Sequence, residues 1–310
     1  MNNLTLRQLR YFEALARHGH FGHAAAASNI SQPALSVQIR DLETSLGVTL
    51  FERGPRQVRL TPFGTEFAAR ARDILRKVDE LGDLARLSQG GLTGRLRIGV
   101  IPTIAPYLVP VIIRSLTQTW PALDIHIRET TTALLIDELE EGRLDCAIVA
   151  LPISEPTLTE VALFTESFVL VRHRDEANRP MPDRERLREM RLLLLEEGHC
   201  FRDQALSFCD LAAGRAKYGL DASSLSTLVQ MVGAGIGVTL LPEMAVAVET
   251  RSAPVVIGRF SEPQPSRTVG LIWRKSSPLA EQLTALAAGL ADSLRPESGT
   301  VTAETGQSTA

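Results

Sequence analysis

The first 65 positions alternate apolar and polar residues with the 3.6-residue period of helices. In "LRQLRYFEALARHG", Leu6, Leu9, Phe12, Leu15 and Ala16 fall on one face, and Gly19 stands where a helix should stop. "GHAAAASN" predicts a short alanine-rich helix whose small side chains let another helix approach closely. "ISQPALSVQIRDLETSLG" predicts a third, with Ser31 as N-cap, Pro33 in the first turn, and Leu35, Ile39, Leu42 and Leu46 on one face. Two helices joined by a tight polar turn make a helix-turn-helix. "LFERGPRQVRLTPFG" then sets Gly54-Pro55 as a turn between short extended segments, a wing carrying Arg53, Arg56 and Arg59. After Pro62, Phe67, Ile74, Val78, Leu81 and Leu84 recur at roughly heptad spacing, which predicts a long linker helix. Its apolar stripe is covered most economically by the same helix of a second subunit.

"SQGGLTG" at 88–94 breaks that helix, and from Arg95 the rhythm becomes strand-helix-strand. "RLRIGVI", "LDIHIRE" and "LDCAIVAL" read as buried strands, with helices at "APYLVPVIIRSLTQTW" and "TTALLIDELEEG" between them. A second set follows in "SFVLVRHR", "RLLLLEE", "GVTLLP" and "TVGLIWR", with a helix at "SSLSTLVQMVGAG". The pattern predicts a parallel α/β sheet in two subdomains. "RPESGTVTAETGQSTA" has almost no large apolar residue and reads as a disordered tail. The predicted organisation is a winged helix-turn-helix head at 1–62, a linker and dimerisation helix at 63–92, a two-subdomain α/β regulatory domain at 93–295 and a tail at 296–310.

Composition adds a charge asymmetry. The chain has a net charge of −3, yet residues 1–65 hold seven arginines against four acidic residues, a net +3 that leaves −6 for the rest. A small basic module is joined to a larger acidic one; the excess is modest, and a solvated charged face accounts for it as well as a nucleic-acid surface does. Arg7, Arg10 and Glu13 interrupt any leader-like apolar run, and the uncharged stretch 98–113 carries Pro102, Pro106 and Pro110. The expectation is a cytoplasmic protein with no membrane segment. In the second helix of the pair, Gln32, Ser36, Val37 and Arg40 face outward, a set suited to base edges and phosphates.

The string from Phe21 to Gly64 resembles the winged helix-turn-helix of LysR-type transcriptional regulators. The resemblance implies a homo-oligomer whose paired heads read a partly palindromic site. It puts Gln32, Pro33 and Ser36 against the major groove of promoter DNA, and Arg53 and Arg56 at the backbone. Val37 departs from the polar or basic residue that many relatives carry there. The regulatory half, on the same resemblance, has a periplasmic-binding-protein-like α/β fold.

Three cysteines in 310 residues cannot form a disulfide scaffold. Cys146, in "LDCAIVAL", reads as a small buried hydrophobe. Cys200 differs, because His199, Arg202, Asp203 and Gln204 surround it at an expected helix N-terminus. Imidazolium, guanidinium and helix-end N–H groups favour the thiolate, the species that attacks peroxide. If 201–209 is helical, nine residues at ~1.5 Å rise separate Cys200 and Cys209 by on the order of 13 Å. A disulfide needs Cα atoms within roughly 7 Å, so a bridge would have to unwind the segment. Metal ligands at zinc spacing are absent, since Cys200, His199 and Cys209 would need a stretched fourth in Asp203 or Asp210. "GAGIG" at 233–237 follows a helix and precedes a strand, the reverse of a dinucleotide fingerprint. No cofactor or metal is expected. Spacing and neighbours alone leave a redox pair and two unreactive cysteines equally open.

A second resemblance narrows that choice. "IPTIAPYLVP", "LDCAIVAL", "LLEEGHCFRDQALSFC", "LVQMVGAGIGVTLLP" and "RTVGLIWRKSSPL", in that order, are similar to the hydrogen-peroxide-sensing branch of the LysR-type regulators. That resemblance implies a peroxidatic Cys200 and a resolving Cys209 forming a thiol/disulfide switch. It implies a peroxide-binding pocket of Thr103, Thr132, His199 and Arg267, with Thr131 as a rival for Thr132 and Arg202 assisting. It further implies an activator of antioxidant genes that is not an enzyme, assembled as a dimer of dimers, contacting RNA polymerase and reset by a thiol reductant such as glutaredoxin or thioredoxin. A regulator answering to a small metabolite explains only the head, and a thiol peroxidase explains only the cysteine pair.

Overall fold

The computed structural model describes residues 4–54, 57–87, 93–209 and 221–294. The chain forms two compact units, Met1–Ser88 and Gln89–Ala310.

In the first unit, helix α1 (Leu6–His18) opens with a capping box between Thr5 and Gln8 and ends on Gly19, whose φ of 58° suits a residue without a Cβ. Helix α2 (Phe21–Ala27) and helix α3 (Gln32–Leu46) follow, with the Ser31 side chain accepting from the Ala34 N–H. Strands β1 (Phe51–Arg53) and β2 (Val58–Leu60) pair antiparallel as the wing. Glu43 fixes the approach to it, accepting from the backbone N–H of Leu50 at 2.8 Å and Phe51 at 3.1 Å. Helix α4 (Pro62–Leu87) runs 26 residues and packs back on the head through Phe67, which meets Phe12 edge-on at 4.9 Å. Leu15, Leu35, Ile39 and Leu42 complete a dry core. Along α4, Ile74 and Leu81 stay exposed.

The second unit is built on β3 (Gly94–Val100), α5 (Ala105–Thr119), β4 (Leu123–Glu129), α6 (Thr132–Glu140), β5 (Cys146–Leu151) and the 16-residue β6 (Leu158–His173). There follow α7 (Arg184–Glu189), β7 (Leu194–Leu195), α8 (Cys200–Phe208), β8 (Asp221–Ala222), α9 (Leu225–Gly233) and β9 (Thr239–Pro242). Helix α10 (Glu243–Glu249), β10 (Val255–Arg259), β11 (Ser266–Arg274) and α11 (Ala280–Ser293) complete it. The main sheet has the order β10-β6-β11-β5-β3-β4, with β9 also on β6.

The expected parallel sheet is corrected to a mixed one. Among the described strands of the main sheet, only β3–β4 and β3–β5 are parallel, whereas β11 runs antiparallel to both β5 and β6, and β6 antiparallel to β9 and β10. The chain crosses from the first subdomain to the second along β6 and returns along β11, which sets these two long strands against each other. Apolar runs such as "SFVLV" and "TVGLIWR" report burial, not direction. The strand expected at "RLLLLEE" is reduced to a bridge at Leu192 and the two residues of β7. The first half of β6, and β10, were not among the predicted strands. The expected tail at 296–310, the 88–92 end of the linker and Arg56 lie outside the described residues, as does the side chain of Arg53.

Candidate functional site

Gly198, with φ 94°, turns the chain from β7 into α8, and His199 serves as the N-cap without a side-chain capping bond. Cys200 is the first residue of α8 and Cys209 its C-cap, and neither is in a disulfide. The half-buried Cys200 borders a tight cleft with Thr103, Thr131, Thr132, Gly198 and His199. On its other side it borders a wider groove lined by Thr132, Ile136, Leu151, Asp203, Gln204 and Arg267. Helix α8, the β3–α5 turn, the start of α6 and strand β11 thus bring Thr103, Thr132, His199, Cys200 and Arg267 together.

Each polar group there has a definable role. Thr103, buried, accepts from Arg267 Nη1 at Oγ1 (2.8 Å) and from Nη2 at its carbonyl (3.1 Å). Arg267 in turn donates its Nε to Glu166 at 2.8 Å and stacks over the Phe201 ring at 5.7 Å. Thr132 Oγ1 is buried and lacks a partner of hydrogen-bonding geometry, yet it lies close enough to Cys200 to favour its thiolate. Thr131, the rival, caps α6 without a side-chain bond and lines only the tight cleft.

Two expectations about this site change. Burial is the largest influence on the Cys200 thiol and pushes its pKa above the ordinary thiol value; Thr132, the Arg267 charge and the Phe201 N–H oppose it, and Asp203 reinforces it. Burial thus works against the thiolate that the neighbours in sequence favour. Arg202 does not face the sulfur. Its Nη1 donates to the Leu195 carbonyl at 2.6 Å and pairs with Asp221 at 3.0 Å, tying α8 to β7 and β8. Two residues apart on a helix, Cys200 and Arg202 point about 200° from each other.

Cys209 is fully buried in the core cluster to which Leu187, Phe201 and Leu206 also belong, and its carbonyl accepts from Arg188 Nε at 3.0 Å. Cys146 is fully buried in β5, where desolvation drives its thiol pKa far upward and Asp145 adds to it. Sequence reasoning missed Glu166 and Phe201. A single carboxylate inside the apolar "ALFTESFVLV" was the available signal for the first. Among the described residues no group of three or more His, Cys, Asp or Glu is arranged to hold a metal ion. Nor is any described helix long and apolar enough to cross a membrane.

On the head, α3 exposes Gln32, Pro33, Val37 and Arg40, with Ser36 half-buried beside them. Positions 33, 36, 37 and 40 share one helical face.

The family model described as a LysR substrate binding domain matches residues 89–295, and that of the bacterial regulatory helix-turn-helix protein, lysR family, matches residues 6–65. A Streptomyces viridosporus protein described as a probable hydrogen peroxide-inducible genes activator is 46% identical over 295 residues, 94% of this chain and 95% of that protein. The DNA-binding transcriptional dual regulator OxyR of Escherichia coli K12 is 44% identical over 289 residues, covering 92% and 94%. Among solved structures, a full-length cysteine-to-aspartate variant of OxyR from Pseudomonas aeruginosa superposes with a TM-score of 0.72 at 38% identity, over 93% of this chain and 95% of that one. A cysteine-to-serine variant of Corynebacterium glutamicum OxyR with H2O2 bound gives 0.64 at 36% identity, covering 93% and 92%.

Proposed function

The chain belongs to the OxyR group of LysR-type transcriptional regulators, DNA-binding proteins that answer to hydrogen peroxide and are not enzymes, and from that premise we propose that its signal is read by Cys200 and Cys209. Peroxide enters beside Cys200, where Thr132 and Arg267 favour the thiolate. The sulfur attacks one peroxide oxygen, the S–O bond forms as the O–O bond breaks, and the leaving hydroxide takes the proton that the thiol gave up. The resulting sulfenic acid is attacked by the Cys209 sulfur, forming the S–S bond and releasing a second water. Two thiols and one H2O2 thus become a disulfide and two waters, and a two-electron thiol reductant of the glutaredoxin or thioredoxin kind returns the pair.

The observation that carries this reading is the pair of threonines, Thr103 and Thr132, that line the cleft bordered by Cys200. Thr103 Oγ1 already accepts from Arg267, so its own proton is free to be donated, and Thr132 Oγ1 makes no hydrogen bond of full geometry. A peroxide molecule, with two donors and two acceptors, matches both vacancies. His199 borders the same space and completes the pocket. Arg202 is left a structural part.

The rest of the reading concerns the other parts of the chain. Residues 1–62 form the head, with Gln32, Pro33 and Ser36 reading base edges and Arg40, Arg53 and Arg56 binding phosphates of promoter DNA. Residues 63–92 pair with a second copy over the exposed Ile74 and Leu81, and two such dimers associate. Residues 93–295 sense peroxide. The protein works in the cytoplasm and contacts RNA polymerase to activate antioxidant genes. Mass spectrometry of alkylated peptides after peroxide tests the chemistry: a Cys200–Cys209 bridge with reduced Cys146 is expected, and a dominant bridge involving Cys146 contradicts it.

A further inference from the structure

We propose that Glu166 is a positioning residue for the peroxide reaction: it holds Arg267 so that the guanidinium donates into Thr103 and leaves the Thr103 proton for the departing oxygen. The proposal rests on the reading of Cys200 as the peroxide-reactive sulfur. Glu166 lies in β6, 101 residues from Arg267 in sequence, and both side chains are almost wholly buried. One carboxylate oxygen, Oε1, takes Arg267 Nε at 2.8 Å and Nη2 at 2.8 Å, while Oε2 takes the Met244 N–H at 3.0 Å. The guanidinium is thereby left with Nη1 on Thr103 Oγ1 at 2.8 Å and Nη2 on the Thr103 carbonyl at 3.1 Å.

A threonine hydroxyl has one proton to give and two lone pairs to receive. With one lone pair occupied by a buried cation, Thr103 is turned into a donor toward the cleft it shares with Cys200. When the Cys200 sulfur attacks and the O–O bond breaks, the charge that develops on the far oxygen meets that proton; the oxygen ends as water with the proton lost by the thiol. Glu166 touches neither peroxide nor sulfur. Its charge also tempers Arg267, whose field favours the Cys200 thiolate. Neutralising Glu166 should therefore separate two rates: alkylation, which needs only thiolate and access, should hold or rise, and peroxide attack, which also needs the oriented Thr103, should fall.

The test uses the full chain, reduced, at one pH, with H2O2 and iodoacetamide as separate probes of Cys200. In Glu166→Gln the second-order rate with H2O2 should fall roughly tenfold or more, while iodoacetamide reacts as fast as in wild type or faster. In a Thr103→Val background, Glu166→Gln should change the peroxide rate by less than about twofold, since the two act through one hydrogen bond. Rates that fall together or rise together, an unchanged peroxide rate, or additive losses in the double variant overturn the proposal. If Glu166→Gln does not fold, Glu166→Asp serves, because its carboxylate is one methylene short of keeping both Arg267 and the Met244 amide. A peroxide rate about threefold lower or more with alkylation little changed is then expected, and a wild-type peroxide rate overturns the idea. A wild type whose Cys200 does not react with H2O2 at all sinks the underlying reading instead, a result distinct from all of these.

Discussion

Disulfide formation must compete with the helix that separates the two sulfurs. Cys200 opens α8 and Cys209 closes it, so nine residues at ~1.5 Å rise hold their Cα atoms on the order of 13 Å apart, against the roughly 7 Å a disulfide tolerates. The second oxidation step therefore proceeds from a minority state in which α8 is unwound, and its rate should scale with the population of that state. Ser207 is an exposed residue of α8, well suited to tune that population without touching the peroxide pocket. Alanine and glycine differ by about 1 kcal/mol inside a helix and by less near its end. Ser207→Gly should thus convert sulfenic acid to disulfide about threefold to fivefold faster than Ser207→Ala, with wild type between them. Both variants should form the sulfenic acid at the wild-type rate. Quenched-flow alkylation with mass spectrometry separates the two steps. Equal disulfide-forming rates in the Gly and Ala variants would refute the claim that α8 unwinds first.

Two further outcomes follow from the buried groups. Cys146 and Cys200 have folded-state pKa values raised by burial, so the native state keeps protons that the unfolded chain releases. Stability of the reduced protein should hold below the unfolded thiol value of about 8.5 and fall as pH rises beyond it; urea midpoints should fall less steeply in Cys146→Ala, and parallel profiles would contradict this. Arg202→Met leaves the Leu195 carbonyl unsatisfied and Asp221 unpaired. It should cost roughly 1–3 kcal/mol by urea denaturation while the peroxide rate of Cys200 stays within about threefold of wild type, because position i+2 on a helix faces away. A lost peroxide rate at full stability would return Arg202 to the pocket.

The head was readable because its signals are local. Ser31, Gly19 and Gly47 cap helices within a few residues of the apolar positions they bound, and Leu35, Ile39 and Leu42 repeat at helical spacing. The regulatory sheet was half readable. Its strands announced themselves as apolar runs, but the antiparallel course of β6 and β11 depends on a crossing between subdomains that no short window contains. At the candidate site, the Gly198-His199-Cys200 turn stood out in sequence, whereas the state of its thiol did not. Adjacent His199 and Arg202 suggested a thiolate, but tertiary burial outweighs them and Arg202 points elsewhere. Glu166 escaped notice for the same reason: its partner Arg267 is 101 residues away, joined to it only by the pairing of β6 with β11.

Oxidation of Cys200 and Cys209 is the step proposed to govern the DNA-binding half. It is tested most directly by footprinting one promoter with wild type and Cys200→Ser, reduced and after peroxide, alongside transcription with purified RNA polymerase. Because recognition helices must meet major grooves spaced by whole turns of ~10.5 base pairs, a changed arrangement of heads should relocate or shorten protection and leave contacts through Gln32 and Ser36 in place. Reduced and oxidised wild type should protect different lengths, transcription should rise on oxidation, and Cys200→Ser should stay fixed in the reduced pattern. Identical footprints and identical transcription before and after peroxide would contradict this.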